Sequence, residues 1–451
     1  MRILLTVHQF LPEHSSGTEI LTLHTALELK ARGHEVRVLT AIPAAAGIPD
    51  DERFDCYELD GIPVARFRHA HSAMGDQNNV AEQEYDNHLV ARYFTGLVEE
   101  FRPDVLHFFH LARLSASIVE VCLQKGIPTV LTPTDFWFVC PTCQLRLPDG
   151  TMCPGPDSIG ANCVSHLAGL KLPQFAPVIE RLPKAAAQAM VRFASLPPFR
   201  RLGPARLVSA LSRRQDVLKD RLNRIDKVLA PTRLMQRTLQ AYGLDPSHVG
   251  YCAYGIRLPR TIAREPHAQG PLRMGVIGLG EHKGAHILVQ AVRKLSGLDL
   301  ALRIYGRPAD CPEYAQRLEQ LAGGDPRVEF CGGFANDEIG VILSQLDVLV
   351  VPSLWFENAP LVVYSAQAAG VPVIASDVAG IAELVTDGDN GRLFPAGDAE
   401  ALARILARLA ANPGQIAALA ARARKPKTIA AYADELLAVY AGLGADRRQE
   451  T

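Results

Sequence analysis

The sequence predicts an α/β protein of two doubly wound domains, and three observations carry that expectation. The chain has 451 residues, more than a single hydrophobic core serves. Hydrophobic residues make up 48%, and 47 basic residues nearly balance 48 acidic ones, the composition of a soluble globular protein. Within the stretch 347–394, residues 347–375 read as strand, loop, helix and strand in about thirty residues, the size of one βαβ unit.

Taken in order, residues 3–7 form the first strand. Residues 19–32 form an amphipathic helix with Leu21, Leu23, Leu27 and Leu29 as its apolar positions, ended by Gly33; residues 36–40 form the second strand. The loop between carries one glycine, Gly17, so it is not a G-x-G-x-x-G fingerprint. Pro43, Pro49 and the acidic run DDERFD mark a surface loop before a strand at 64–67. Residues 80–101 and 115–124 read as helices, 104–109 and 128–131 as strands. Residues 228–230 are a strand and 232–242 a helix, and a Pro/Gly-rich linker follows at 257–271. Beyond it come strands at 273–277 and 302–305, and helices at 314–321, 337–344, 399–411 and 429–440. No run approaches the roughly 18 apolar residues of a membrane span. The start MRILLTVHQFLPEH lacks a signal-peptide layout, so a cytoplasmic chain is expected.

The chemistry concentrates after the strand at 347–351. Glu357 lies in the loop beyond its carboxyl end, where open α/β sheets bind ligands. Pro360 is expected at the first helical position, with Gly370 and Pro372 as the stop. The first-turn amides of that helix suit an anion.

The run PS…ENAPL…AAGVPVIAS…ELV…G.LF resembles the donor-sugar site of retaining GT-B glycosyltransferases of the group 1, or family 4, class. Lys283-Gly284, the junction RGHEVRVLT and Asp135 before Phe136-Trp137 and Cys140-Pro141 extend the resemblance. It implies two Rossmann-like domains facing a cleft. An N-terminal acceptor-side domain would cover 1–258 with an insertion at 165–224, and a nucleotide-sugar domain 271–427. The helix from 428 to 451 would return to the first domain. By the same resemblance Glu357 contacts the transferred sugar and Lys283 the donor phosphates, and Asp135, the third catalytic candidate, accepts hydrogen bonds from a sugar hydroxyl. Asn358, Ala359, Pro360, Leu361 and Val362 frame the diphosphate, and Gly17 lets the backbone approach it. Three positions depart from the family pattern. Ser365 stands where a ribose-binding Glu is usual, and Thr134 where a sugar-binding His is usual. Leu279 or Gly280 stands where an Arg is usual. A neutral serine holds a hydroxyl more weakly than a carboxylate does. Read as residues alone, Gly17 equally suits a helix start, Lys283 a surface charge, and Asp135 a turn or helix cap.

Two further features stand outside that frame. Cys140, Cys143, Cys153 and Cys163, with His166, suit a zinc or iron–sulfur site, or simply buried thiols. Residues 165–224 hold twelve Lys or Arg against three acids, interleaved with apolar residues, in a chain whose net charge is −1. Such a segment suits an anionic membrane surface, or else a solvated helical hairpin beside the acceptor cleft. No motif supports nucleic-acid binding.

The expected activity is therefore transfer of a hexosyl-type sugar from a nucleotide-diphosphate sugar to a hydroxyl acceptor, with retention. The resemblance implies no cofactor and no divalent metal. Surface polysaccharide, glycolipid or metabolite glycosylation fits, and the basic segment 165–224 points to a lipid-linked or membrane-proximal acceptor. The departures at Ser365 and Thr134 and the missing Arg motivate a rival: a weakly catalytic relative kept as a binding or scaffold protein. A different enzyme on the same fold, an epimerase or phosphorylase, is the other.

Overall fold

The structure is a computed structural model that describes residues 1–257 and 270–449. The expected linker at 257–271 falls almost wholly outside them. The chain divides into two units, one of residues 1–253 with the segment from 430 onward, the other of residues 254–429.

The first unit is built on an eight-stranded sheet. Its strands are β1 (Arg2–Val7), β2 (Glu35–Pro43), β3 (Phe54–Leu59), β4 (Ile62–His69), β5 (Val105–Phe108), β6 (Thr129–Leu131), β7 (Lys227–Ala230) and β8 (Val249–Tyr251). Their order is β3-β4-β2-β1-β5-β6-β7-β8, parallel throughout except for the antiparallel edge pair β3–β4. Parallel strands covered on both faces need continuous apolar runs, and Ile3, Leu4, Leu5 and Val7 of β1 are fully buried. The chain leaves β1 toward β2 on one side and returns to β5 on the other. The carboxyl ends of β1 and β5 therefore flank the point where strand order reverses.

The helix Ile429–Gln449 belongs to this unit. Its Tyr440 hydroxyl lies 2.6 Å from Nδ1 of His107 on β5, whose Nε2 lies 2.8 Å from Thr132 Oγ1. Tyr432 of the same helix is 3.3 Å from that hydroxyl.

The second unit holds β9 (Leu272–Ile277), β10 (Leu300–Tyr305), β11 (Val328–Gly332), β12 (Val348–Val351), β13 (Val373–Ser376) and β14 (Gly391–Phe394). All neighbours are parallel, in the order β11-β10-β9-β12-β13-β14. One face of the sheet packs Leu288, Val292, Leu402 and Leu406 from the helices Ala285–Lys294 and Ala399–Ala411. The other packs Val363 and Ala366 of the helix Leu361–Ala368 with Leu343 and Ile381. At about 1.5–3 kcal/mol per buried aliphatic side chain, these two layers fix the helices and so the loops that precede them. Asp347, fully buried at the entrance to β12, receives two guanidinium bonds from Arg273, at 2.7 and 3.1 Å, and its main-chain N–H at 2.8 Å.

Several expectations change. The surface loop expected around Pro43, Pro49 and DDERFD is exposed at 45–47 and 51–52 but ends sooner than expected, because Phe54 already opens β3. Aromatic stacking of Phe54 on Tyr93 and Phe67 holds that edge strand despite its acidic surroundings. The helix expected over 80–101 is two, Val80–Gln83 and His88–Phe101, because Asn87 caps the second by accepting from the Val90 N–H. Pro360 caps rather than opens its helix, since its ψ of 117° is extended. The segment 165–224, for which a helical hairpin is one of the two readings, lies in four helices, Ala161–Lys171, Ala176–Glu180, Lys184–Ala194 and Gly203–Asn223.

Candidate functional site

Ligands in open α/β sheets gather at the carboxyl ends of strands where the order reverses. In the second unit that point lies between β9 and β12, and both strands deliver a charged residue there. After β9 the chain makes the short turn Glu281–Lys283 and enters its helix through Gly284 at φ 73°. A Cβ on Gly284 would stand 1.9 Å from the Pro352 carbonyl, so only glycine lets this turn rest against the end of β12.

The two loops meet through Lys283 and Glu357. The Lys283 ammonium donates to Glu357 Oε1 at 2.6 Å, and the Ser353 hydroxyl donates to the same oxygen at 2.9 Å. Glu357 is buried, and the Lys283 side chain is 30% exposed, so one partner of the pair still reaches solvent. Burial works against ionisation of Glu357. The Lys283 charge and the bonds from Lys283 and Ser353 outweigh it, and the carboxyl is held below the usual range. Trp355 presents its ring 5.0 Å from the ammonium and packs edge-on against His282. Behind the loop, a Cβ on Gly380 would meet the Glu357 carbonyl at 1.6 Å, so the backing helix Ala379–Ala382 touches the loop backbone directly.

Asn358, Ala359 and Pro360 continue this loop, all buried, into the helix Leu361–Ala368. The first-turn amides of Leu361 and Val362 have no partner within the helix. Ser365 follows Leu361 by four residues, which puts the two on one face. Six residues named from the sequence, Lys283, Glu357, Asn358, Ala359, Leu361 and Val362, thus frame one end of one sheet.

The first unit has its own cluster at the β1–β5 switch point. His8 follows β1, and its ring lies 4.1 Å from that of His110, which follows β5. His8 Nε2 is 3.7 Å from Oε1 of the buried Glu19. His110 Nδ1 accepts from the Ala112 N–H at 3.0 Å, so its Nε2 carries the proton and donates to Asp135 Oδ2 at 2.7 Å. The other Asp135 oxygen accepts from the Trp137 N–H at 2.8 Å. Burial, with the nearby His110 and Arg113, holds His8 well below its usual pKa, and burial pushes Glu19 up. Burial thus disfavours the charged form of both His8 and Glu19.

The remaining sequence candidates fall as follows. Asp135 sits in this cluster with both oxygens engaged. The Thr134 hydroxyl donates to the Phe109 carbonyl at 3.2 Å. Gly17 is the exposed first residue of the helix Gly17–Ala31. Cys143 leaves the expected cysteine quartet, because it turns toward Asp135 and His110. Among the described residues two groups bring three metal-ligating atoms within 4.8 Å of one another, His110–Asp135–Cys143 and His69–His71–Glu84. Sequence reading missed His8, Glu19, His110, Ser353 and Trp355. The signal for the two histidines was position, each one or two residues beyond a buried parallel strand.

Two doubly wound parallel-sheet units with polar residues at their switch points define the GT-B architecture. The chain belongs to the group 1, GT4-like glycosyltransferases. Residues 272–412 match the family model of glycosyl transferases group 1 and residues 16–152 that of the glycosyl transferase 4-like domain, together more than half of the chain. Over 220 residues it is 31% identical to the amylovoran biosynthesis glycosyltransferase AmsK of Erwinia amylovora, covering 44% of this chain and 52% of that one. Over 193 residues it is 32% identical to a D-inositol 3-phosphate glycosyltransferase of Streptomyces bingchenggensis, covering 38% and 42%. The chain thus spans about half the length of the curated relatives it matches. HepE of Anabaena, in complex with UDP-glucose, superposes with a TM-score of 0.65 over 98% of this chain and 100% of that one, at 16% identity. WaaG, a glycosyltransferase involved in lipopolysaccharide biosynthesis, does so with a TM-score of 0.58 over the same shares, also at 16%. These two show the fold alone.

Proposed function

We propose that the protein transfers a hexose-type sugar from a nucleotide-diphosphate sugar to a hydroxyl acceptor with retention at the anomeric carbon. The observation that carries the reading is the Lys283–Glu357 pair, held by two loops at the switch point of the second sheet. As the donor bond breaks, negative charge grows on the departing diphosphate. Lys283 and the amides of Leu361 and Val362 are the groups to stabilise it. Lys283 then shares itself between phosphate and carboxylate, and Glu357 is released to accept from sugar hydroxyls and orient the anomeric carbon. Ser365 reaches the ribose. UDP is the nucleotide to try first, because HepE holds UDP-glucose.

A thermal-shift panel of UDP-, GDP-, ADP- and TDP-sugars tests this on wild type, Lys283→Arg and Lys283→Ala. A ligand that binds only the folded state raises Tm. One nucleotide class is expected to shift wild type, with the shift reduced in Arg and lost in Ala. No shift with any donor refutes the reading. Proton NMR of the anomeric coupling in the glycoside product reads retention or inversion.

The acceptor we assign is lipid-linked, reached from an anionic membrane surface. Among the described residues, nine of the twelve exposed large hydrophobic side chains lie between 170 and 207, Leu170, Phe175, Val178, Met190, Phe193 and Leu202 being more than half exposed. Lys171, Lys184, Arg192, Arg200 and Arg201 accompany them. Basic and apolar groups together match an anionic interface in charge and in depth. No helix among the described residues is long and apolar enough to cross a membrane.

A further inference from the structure

Between β6 and the helix Ala161–Lys171 lie 29 residues with no helix or strand, only an isolated bridge from Arg146 to Met152. So long an irregular loop needs something to hold it. Two of its residues, Cys143 and Leu145, are left-handed at φ 63° and 48° without being glycine, and such conformations persist only where the surroundings enforce them.

Within this loop is a cavity of about 40 Å³. Cys140 and Cys153 line it from the loop, and Cys163 and His166 line it from the helix. Cys163 and His166 are three residues apart, so the helix presents both on one face. All three cysteines are free thiols, and Cys163 lies within electrostatic reach of both others. No three of their ligating atoms lie within 4.8 Å of one another, so a bound ion has to draw the side chains inward. The buried Arg214 guanidinium, bonded to the Trp137 carbonyl, also acts on Cys163.

We propose that Cys140, Cys153, Cys163 and His166 bind one zinc ion that fastens this loop to the helix. Three thiolates and an imidazole are a soft, four-ligand set, which suits a closed tetrahedral zinc site. Binding releases three thiol protons to solvent while the imidazole coordinates in its neutral form. The product carries one net negative charge, and Arg214 is the cation that offsets it. The ion holds the loop that carries Asp135 and Trp137 and anchors the first helix of the basic insertion. The competing group, His110–Asp135–Cys143, offers a single thiol, and its His and Asp are already bonded to each other.

The test titrates cobalt(II) into the full-length protein, purified reduced and stripped of metal, and follows its absorption. One cobalt per chain is expected, with near-ultraviolet thiolate charge transfer and visible bands of tetrahedral intensity, both removed by zinc. Cys163→Ser loses them, Cys143→Ser keeps them, and His166→Cys keeps the site with a stronger charge-transfer band. The last variant decides the matter even where Cys163→Ser does not fold. No cobalt bands in wild type, bands that survive Cys163→Ser but vanish in Cys143→Ser, or His166→Cys bands no stronger than wild type would each overturn the proposal.

Discussion

Glu357 is ionised against its burial because one ammonium and one hydroxyl converge on a single oxygen. That balance makes the two ends of the pair unequal under mutation. Glu357→Gln keeps the shape and removes the charge, leaving Lys283 more available to phosphate. Its expected effect is a kcat loss of about 100-fold or more, with nucleotide-diphosphate Kd unchanged or lower. Parallel turnover and calorimetry would separate the two, and an unchanged kcat would refute the role given to the carboxylate. Lys283→Ala instead strands a buried carboxylate. Removing one partner of a buried pair costs about 3–5 kcal/mol, and the partial exposure of Lys283 points to the lower end. Denaturant titration should show this loss, and it should shrink at low pH. The sign follows from the lowered Glu357 pKa. The pair's stabilisation is complete above the carboxyl's unfolded pKa and fades as pH falls through the lower folded one. Gly284→Ala is a third residue-scale test. Positive φ and the Pro352 carbonyl both oppose a methyl there, and a loss of about 3 kcal/mol is expected in the same titration.

At the scale of elements, the insertion is the part whose burial least resembles a finished surface. The helix Lys184–Ala194 buries only Val191 and leaves Met190 and Phe193 exposed. If an anionic bilayer covers this face, the protein floats with phosphatidylglycerol vesicles and not with phosphatidylcholine vesicles. The expected loss on Met190→Asp with Phe193→Asp is at least tenfold, and binding weakens with salt. Equal flotation of both vesicle types would contradict the charge-led reading. The same element shows what sequence could and could not deliver. Its basic-apolar composition was legible because composition is local. Its division into four helices was not, because Pro173, Pro183 and Pro204 set boundaries that depend on packing. The strand-loop-helix frame around Glu357 was legible for the opposite reason. A fully buried parallel strand, a short loop and a stop at Gly370 leave few foldings, and every signal lies within some thirty residues. Edge strands β3, β8 and β11 escaped because half-exposed short strands carry little apolar pattern. The His8–His110 contact escaped because about a hundred residues separate its members, and only sheet order brings them together.

For the whole molecule the decisive group is His107, which ties the last helix to the middle of the first sheet. It is fully buried, and burial lowers its pKa to about 3, so the folded protein keeps it neutral. The unfolded chain titrates near 6.5 and binds the proton first as pH falls. Folding stability is therefore whole above about pH 6.5 and declines below it, by about 1.4 kcal/mol per unit, until the folded ring protonates as well. Between pH 7 and pH 5 this one residue accounts for a loss of about 2 kcal/mol. His69, held at about 3 chiefly by burial, adds to the same trend, so the wild-type slope alone does not isolate His107. The difference between wild type and His107→Gln does, since glutamine offers both a donor and an acceptor to Tyr440 and Thr132 without titrating. The two tryptophans make the measurement selective, because Trp137 lies in the first unit and Trp355 in the second. In a Trp355→Phe background, Trp137 fluorescence follows unfolding of the unit that contains His107. The glutamine variant is expected to lose about 2 kcal/mol less than its parent between pH 7 and pH 5. Identical slopes would mean that the buried imidazole is not what couples the returning helix to pH.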